Sequence, residues 1–173
     1  MKIYLLVMAL TFSSVLFGQD NYQSFKTAGF KVKCPCTLKV NSTFIQMVKA
    51  QGKSVIGAYV CAENEDNPEY GVINNINVYD ETASYDKISP SNYAYFEKKY
   101  LEEYASQLAA NGMTYKYVTY KGVTALEYTF DQVGLPTKAI MFLKNKKSYL
   151  IQVGSRYNLT TKFNSLKSSF DFI

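Results

Sequence analysis

The chain has no histidine and no tryptophan, a single arginine (Arg156), three cysteines and four prolines among its 173 residues. Without histidine there is no imidazole to activate a serine or cysteine nucleophile, and none to bind zinc. One arginine is too few for bidentate clamping of phosphates, so no nucleic-acid partner is expected. Charge is also sparse. Only 19% of residues are charged, and the net charge of +5 comes from scattered lysines, with Lys144, Lys146 and Lys147 the one local cluster. A dispersed positive charge of this size describes a solvated surface rather than a binding stripe. There is no internal repeat, no low-complexity tract and no long linker. What is abundant is apolar and aromatic: 47% and 16% of the chain, with 16 tyrosines and 11 phenylalanines. That composition folds, and the length suits one domain, alone or behind a short leader.

The opening residues predict such a leader. Lys2 gives a minimal basic start, and Ile3 to Phe17 form an apolar run broken only by Thr11, Ser13 and Ser14. Gly18 then offers a small residue ahead of the polar Gln19-Asp20. The run is short for a membrane span, which needs about 20 residues, and its pattern is that of a secretory signal peptide over 1–18. Leu16 departs from the pattern, standing where a small residue is preferred. No cysteine near position 18 could carry a lipid. The expected product is a single mature domain over 19–173, exported to the periplasm or the extracellular medium, with no transmembrane segment after cleavage.

Gln19 to Ala28 reads as a polar approach segment. Phe30, Val32 and Cys34 alternate with lysines, as a half-buried strand does, and Pro35 ends it. Thr43 to Lys49 fits either a strand or a helical turn. Gln51-Gly52-Lys53 marks a turn. Ser54 to Cys61 and Tyr70 to Asp80 read as strands, and Glu81 to Ile88 as a connection. Ser89-Pro90 then signals a helix start. Tyr93, Phe96, Tyr100, Leu101, Tyr104 and Leu108 recur at helical spacing, predicting a helix of about 20 residues with one apolar stripe, closed by Asn111-Gly112. Four strands follow: Met113 to Tyr120, Val123 to Phe130, Lys138 to Leu143 and Ser148 to Ser155. Lys121-Gly122 and Asn145-Lys146 are tight turns, and Val133 to Thr137 a loop. Short connections favour antiparallel hairpins. In the second strand Val123, Ala125 and Glu127 share one face and Leu126, Tyr128 and Phe130 the other. Asn158 opens a last helix using Leu159, Phe163, Leu166 and Phe170, and the apolar Phe172-Ile173 end is expected to dock on the body. The fold class is therefore α+β, an antiparallel sheet covered by helices.

Over nearly its whole mature length this pattern resembles the Mog1/PsbP-like fold group. The matching features are Phe30-Lys-Val-Lys-Cys-Pro35, the helix from Tyr93 to Leu108, the strand ending Tyr149-Leu-Ile-Gln-Val-Gly, and Phe163 with Ser169-Phe170 in the last helix. The resemblance implies an α/β/α sandwich around a central antiparallel sheet. It also implies a binding or assembly role, since members include photosystem subunits, a Ran-binding nuclear protein and bacterial envelope proteins. Fold likeness does not fix function, and no binding residue carries over. Cys34-Pro35-Cys36 lies outside the group's general pattern.

Cys34, Cys36 and Cys61 all fall in the mature part, and an oxidising compartment predicts a disulfide. Pairing across one residue strains the geometry, so Cys61 should be one partner. The alternation points Cys34 toward the core and leaves Cys36 nearer the surface, and either could bond Cys61. The expectation is one structural bridge with a spare thiol. Two other readings stand beside it: an exchange site in which the third thiol attacks the bridge, and a three-thiolate site for copper(I) or zinc that lacks a fourth ligand.

The run from Glu63 to Glu69 holds four carboxylates that could attract calcium, though it lacks the spacing and glycine of an EF-hand and reads as a solvated loop. Tyr115 and Tyr117 share a strand face, with Tyr120 on the other; they form a solvent-facing ladder or an aromatic binding surface. Asn74, Asn75 and Asn77 suggest strand-edge or turn residues rather than ligands. Asn41-Ser-Thr and Asn158-Leu-Thr match glycosylation acceptors, a match frequent by chance. Glu127 sits among apolar residues, where burial would raise its pKa; it shows no catalytic partner, and the other readings are that it faces solvent or meets a lysine. No catalytic, cofactor-binding or metal-binding residue is therefore expected. The predicted function is a non-enzymatic exported domain that binds a protein partner or a cell-envelope component, the alternative being a thiol redox or soft-metal protein.

Overall fold

The computed structural model describes residues 22–173 other than Glu65 and Pro68, so the expected leader over 1–18 lies outside the described residues. Ten strands and four helices follow in chain order: β1 (Gln23–Phe25), β2 (Phe30–Val32), β3 (Lys39–Val40), α1 (Ser42–Ala50), β4 (Val55–Glu63), β5 (Val72–Asp80), α2 (Thr82–Tyr85), α3 (Tyr93–Ala110), β6 (Thr114–Tyr120), β7 (Val123–Gln132), β8 (Leu135–Lys144), β9 (Lys147–Ser155), α4 (Leu159–Ser169) and β10 (Asp171–Phe172).

Seven strands form one sheet in the order β3-β4-β5-β9-β8-β7-β6, every adjacent pair antiparallel. The tight turns at Lys121-Gly122 and Asn145-Lys146 make β6 to β9 a meander, with residues of positive φ at each turn. The third connection is shorter than the loop expected over Val133 to Thr137. Val133 and Gly134 alone turn the chain, and β8 starts at Leu135 rather than Lys138.

The α3 helix forms because Tyr93–Ala110 contains no β-branched residue, glycine or proline to oppose it. Pro90 opens a 3₁₀ turn (Pro90–Asn92) and the α-helix proper starts at Tyr93. Ser89 makes no cap bond; its hydroxyl meets Ser91 instead. The far end closes as sequence predicts. Gly112 takes a φ of 70° while its N–H donates to Ala109 O and that of Met113 to Leu108 O, a Schellman closure. The ambiguous stretch after β3 resolves as α1, because Asn41 Oδ1 accepts from Phe44 N–H at its start and Gly52 repeats the same closure at its end.

Two cores lie on the two faces of the sheet. One holds Ile76, Val78, Phe142, Tyr149 and Ile151 under Phe163, Leu166 and Phe170 of the C-terminal helix region. The small sheet β1-β2-β10 covers the rest of this face, bringing Phe30 onto Phe25 and Phe170 at 4.8 and 5.1 Å between ring centroids. The apolar C-terminus thus docks as a strand on β2. The second core packs Leu101, Ala105 and Leu108 of α3 against Leu126, Tyr128 and Met141. Glu81 to Ile88 is more than a connection. It contains α2, whose Tyr85 is fully buried here and donates to Glu97 Oε1. The polar approach segment likewise contributes β1, whose Phe25 packs on the first core. Helices therefore cover both faces of a central antiparallel sheet, an α+β sandwich.

Candidate functional site

The three cysteines meet on the first-core side. Cys61 lies near the end of β4, while Cys34 and Cys36 follow β2 on either side of Pro35. Cys36 is bonded to Cys61, with Cα atoms 5.8 Å apart, and Cys34 is a free thiol. Alternation favoured Cys34 as the inward residue. The strand ends at Val32, however, so period-two reading no longer applies beyond it, and Cys34 and Cys36 are both half-buried against the core. Cys34 Sγ lies 3.0 Å from Cys61 Sγ, and the three sulfurs lie within 4.8 Å of one another.

Two polar side chains frame this cluster. Gln23 of β1 donates from Nε2 to Cys36 O at 2.9 Å and accepts from Leu38 N–H at 2.8 Å, which holds the Cys34–Leu38 backbone. Asn74 is directly opposite Cys61 in the ladder. Its amide donates to Glu63 Oε1 at 3.2 Å and lies 3.7 Å from Cys61 Sγ and 4.0 Å from Cys36 Sγ. Burial pushes the Cys34 thiol up to about 11; a backbone contact from Cys36 opposes this, and the negative charge of Glu63 adds to it. With two sulfurs joined to each other, a single thiol remains for a soft metal, too few for the three-thiolate arrangement.

The asparagines do not mark an edge. β5 lies between β4 and β9, and Asn74 and Asn77 are buried within it. Sequence reasoning missed Asn74 and Gln23 as partners of the cysteines, because only the ladder register and the placement of β1 bring them there.

Glu127 shares its face with Ala125, as alternation indicated. It is buried, at 5% exposure, but it is not alone. Lys167 of α4 donates to Oε2 at 2.7 Å, and Lys116 of β6 and Lys138 of β8 reach Oε1 at 3.3 and 3.4 Å. Burial by itself would raise this carboxyl; the hydrogen bond and charge of Lys167, with those of Lys116, outweigh it and hold the group below its ordinary value. The raised pKa expected from its apolar neighbours is corrected. The lysines stand 11, 11 and 40 positions from Glu127 along the chain, so only the tertiary fold brings them to it.

On the opposite face a groove of about 660 Å³ runs between α3 and the β6–β7 hairpin, lined by Glu97, Lys98, Leu101, Glu102, Tyr117 and Leu143 among others. Tyr117 lines it and Tyr115 stands beside Tyr117, the two 49% and 39% exposed with ring centroids 6.1 Å apart. Tyr120 turns to the other face and donates to Lys167 O. β6 ends the seven-stranded sheet, so one side of its backbone faces outward.

The acidic loop is closed by its own backbone. Asn67 N–H donates to Asn64 O, and the Asn67 side chain accepts from Glu69 N–H. Glu63 turns away from it to Asn74. Among the described residues, the cysteines are the one cluster close enough to share an ion, and no helix is long and apolar enough to cross a membrane. Asn41 is engaged in capping α1, and Asn158 adopts a left-handed conformation before α4 without a side-chain cap bond.

No family model matches the chain, and no curated protein does. Among solved structures, the chain is similar to the solution structure of cyanobacterial PsbP (CyanoP) from Synechocystis sp. PCC 6803, with 13% identity and a TM-score of 0.39, over 88% of this chain and 92% of that one.

Proposed function

We propose that the chain is an exported binding domain of Mog1/PsbP-like architecture that receives an extended segment of a partner protein along the groove between α3 and β6. One observation carries the reading: a groove of about 660 Å³ opens beside an edge strand that carries an exposed tyrosine pair. An outward strand edge supplies backbone donors and acceptors to an incoming strand. Paired tyrosines add contact area at low entropic cost and a polar tip for hydrogen bonding. The signal-like pattern over 1–18 and the Cys36–Cys61 bridge both support an oxidising destination. Glu127 supports binding over acid–base chemistry, because its three lysine partners keep it charged rather than ready to hold a proton.

The test places a photo-crosslinking amino acid at Tyr117 in the exported protein in its native cells. A control chain carries it at the exposed Asn164 on α4, on the opposite face. A discrete adduct from position 117, absent at 164 and lost when Tyr115 and Thr119 are changed to Ser and Pro, is the expected result. Equal labelling at both positions, or no adduct at 117, would refute the assignment of the groove.

A further inference from the structure

The cysteine cluster holds more than a bridge needs. A bridge alone requires two sulfurs brought together by the backbone. Here a third sulfur, that of Cys34, lies 3.0 Å from Cys61 Sγ, at the separation of reacting atoms poised for attack. Gln23 fixes the backbone that carries both Cys34 and Cys36, so the two compete for Cys61 from one held segment. Asn74 lies near the bridged pair, its amide within 4.0 Å of Cys36 Sγ, and is anchored by Glu63.

We propose that Cys34, Cys36 and Cys61 form an internal thiol–disulfide exchange centre, in which the bridge moves between Cys36–Cys61 and Cys34–Cys61. The Cys34 thiol gives its proton to solvent, and the resulting thiolate attacks Cys61 Sγ. A Cys34–Cys61 bond forms as the Cys61–Cys36 bond breaks. The bonding pair leaves on Cys36, which takes a proton from solvent. No outside oxidant or reductant is consumed, because one disulfide and one thiol stand on each side. The Asn74 amide offers a dipole to the departing Cys36 thiolate. This second pairing frees the thiol flanked by exposed Pro35 and Thr37, making Cys36 the outlet of the centre.

Titratable groups on the side of β4 that carries Cys61 are Glu63 and Tyr59; the neighbours from β1 and β5, Gln23 and Asn74, are neutral, and the Lys33 ammonium sits over the Tyr22 ring. Exchange speed therefore follows Cys34 ionisation, rising about tenfold per pH unit across neutral and mildly alkaline pH.

The experiment incubates the oxidised wild-type chain at pH 7, 8 and 9, caps free thiols with a maleimide, and maps the unreduced peptides by tandem mass spectrometry. The cap is expected on both Cys34 and Cys36, with the Cys36-capped form appearing about tenfold faster per pH unit. Cys34→Ser should abolish capping at Cys36, and Cys36→Ser should recover a Cys34–Cys61 disulfide. Capping of Cys34 alone at every pH overturns the proposal, as does capping of all three cysteines. Because the wild-type map decides by itself, a variant that fails to fold does not rescue the idea. Loss of the groove's crosslink would leave this result untouched.

Discussion

Changing Glu127 to glutamine keeps the shape of the side chain and removes its charge. Three ammonium groups then share a site with no counter-charge, having faced the carboxylate at 2.7, 3.3 and 3.4 Å. Stripping one partner from a fully buried ion pair costs about 3–5 kcal/mol. This site falls short of that limit, because the lysines are 66%, 19% and 23% exposed for Lys116, Lys138 and Lys167. Lys116 can turn into water and contributes little. Lys138 and Lys167 are held over the Phe163 ring, at 5.5 and 5.0 Å, and lose more. The expected destabilisation is roughly 2 kcal/mol, or about 4–8 °C in melting temperature for a domain of this size. The sign with pH is defined. A carboxyl held below its ordinary value of 4.5 stabilises the fold above the unfolded pKa and loses that contribution as pH falls through the folded one. Wild type and variant should thus differ fully at pH 7 and begin to converge only as pH falls below 4.5. Melts followed by circular dichroism from pH 7 down to pH 3.5 measure both. A difference under about 0.5 kcal/mol at pH 7 would refute the reasoning, as would a difference that stays constant with pH.

Phe30→Ala removes a fully buried ring stacked between Phe25 and Phe170, and should cost about 3–5 kcal/mol in urea denaturation; a loss under about 1 kcal/mol would mean the small sheet does not seal the first core. Burial pushes the hydroxyls of Tyr79 and Tyr149 up to about 12, so their neutral forms favour the fold below the unfolded value of 10 and this contribution is lost as pH rises through 12. An ultraviolet titration should show some tyrosines ionising only above about pH 11, and a folded chain whose tyrosines all ionise near 10 would contradict their burial.

Periodic segments were legible without coordinates. The α3 stripe, the meander and the facing of Glu127 against Leu126 all follow from spacing that one element imposes on its own residues. Short pieces were not. β1 and α2 carry three and four residues, too few for a period, and each is held by one aromatic from a distant core, the half-buried Phe25 or the fully buried Tyr85. The candidate sites were half legible. Cysteine types and the oxidising context pointed to a bridge at Cys61, but the choice of Cys36 depended on where β2 stops.

The sequence by itself determined the α+β class, the long helix with its glycine closure, the antiparallel meander and the set of three thiols. Each is written in neighbours along the chain, through side-chain period, turn chemistry and composition. Only the tertiary structure decided that Asn74 lies inside the sheet beside the sulfurs, that three lysines from β6, β8 and α4 converge on Glu127, and that β6 forms a free edge beside α3. Those outcomes depend on strand order and register, which bring together residues dozens of positions apart, and no local pattern encodes that distance.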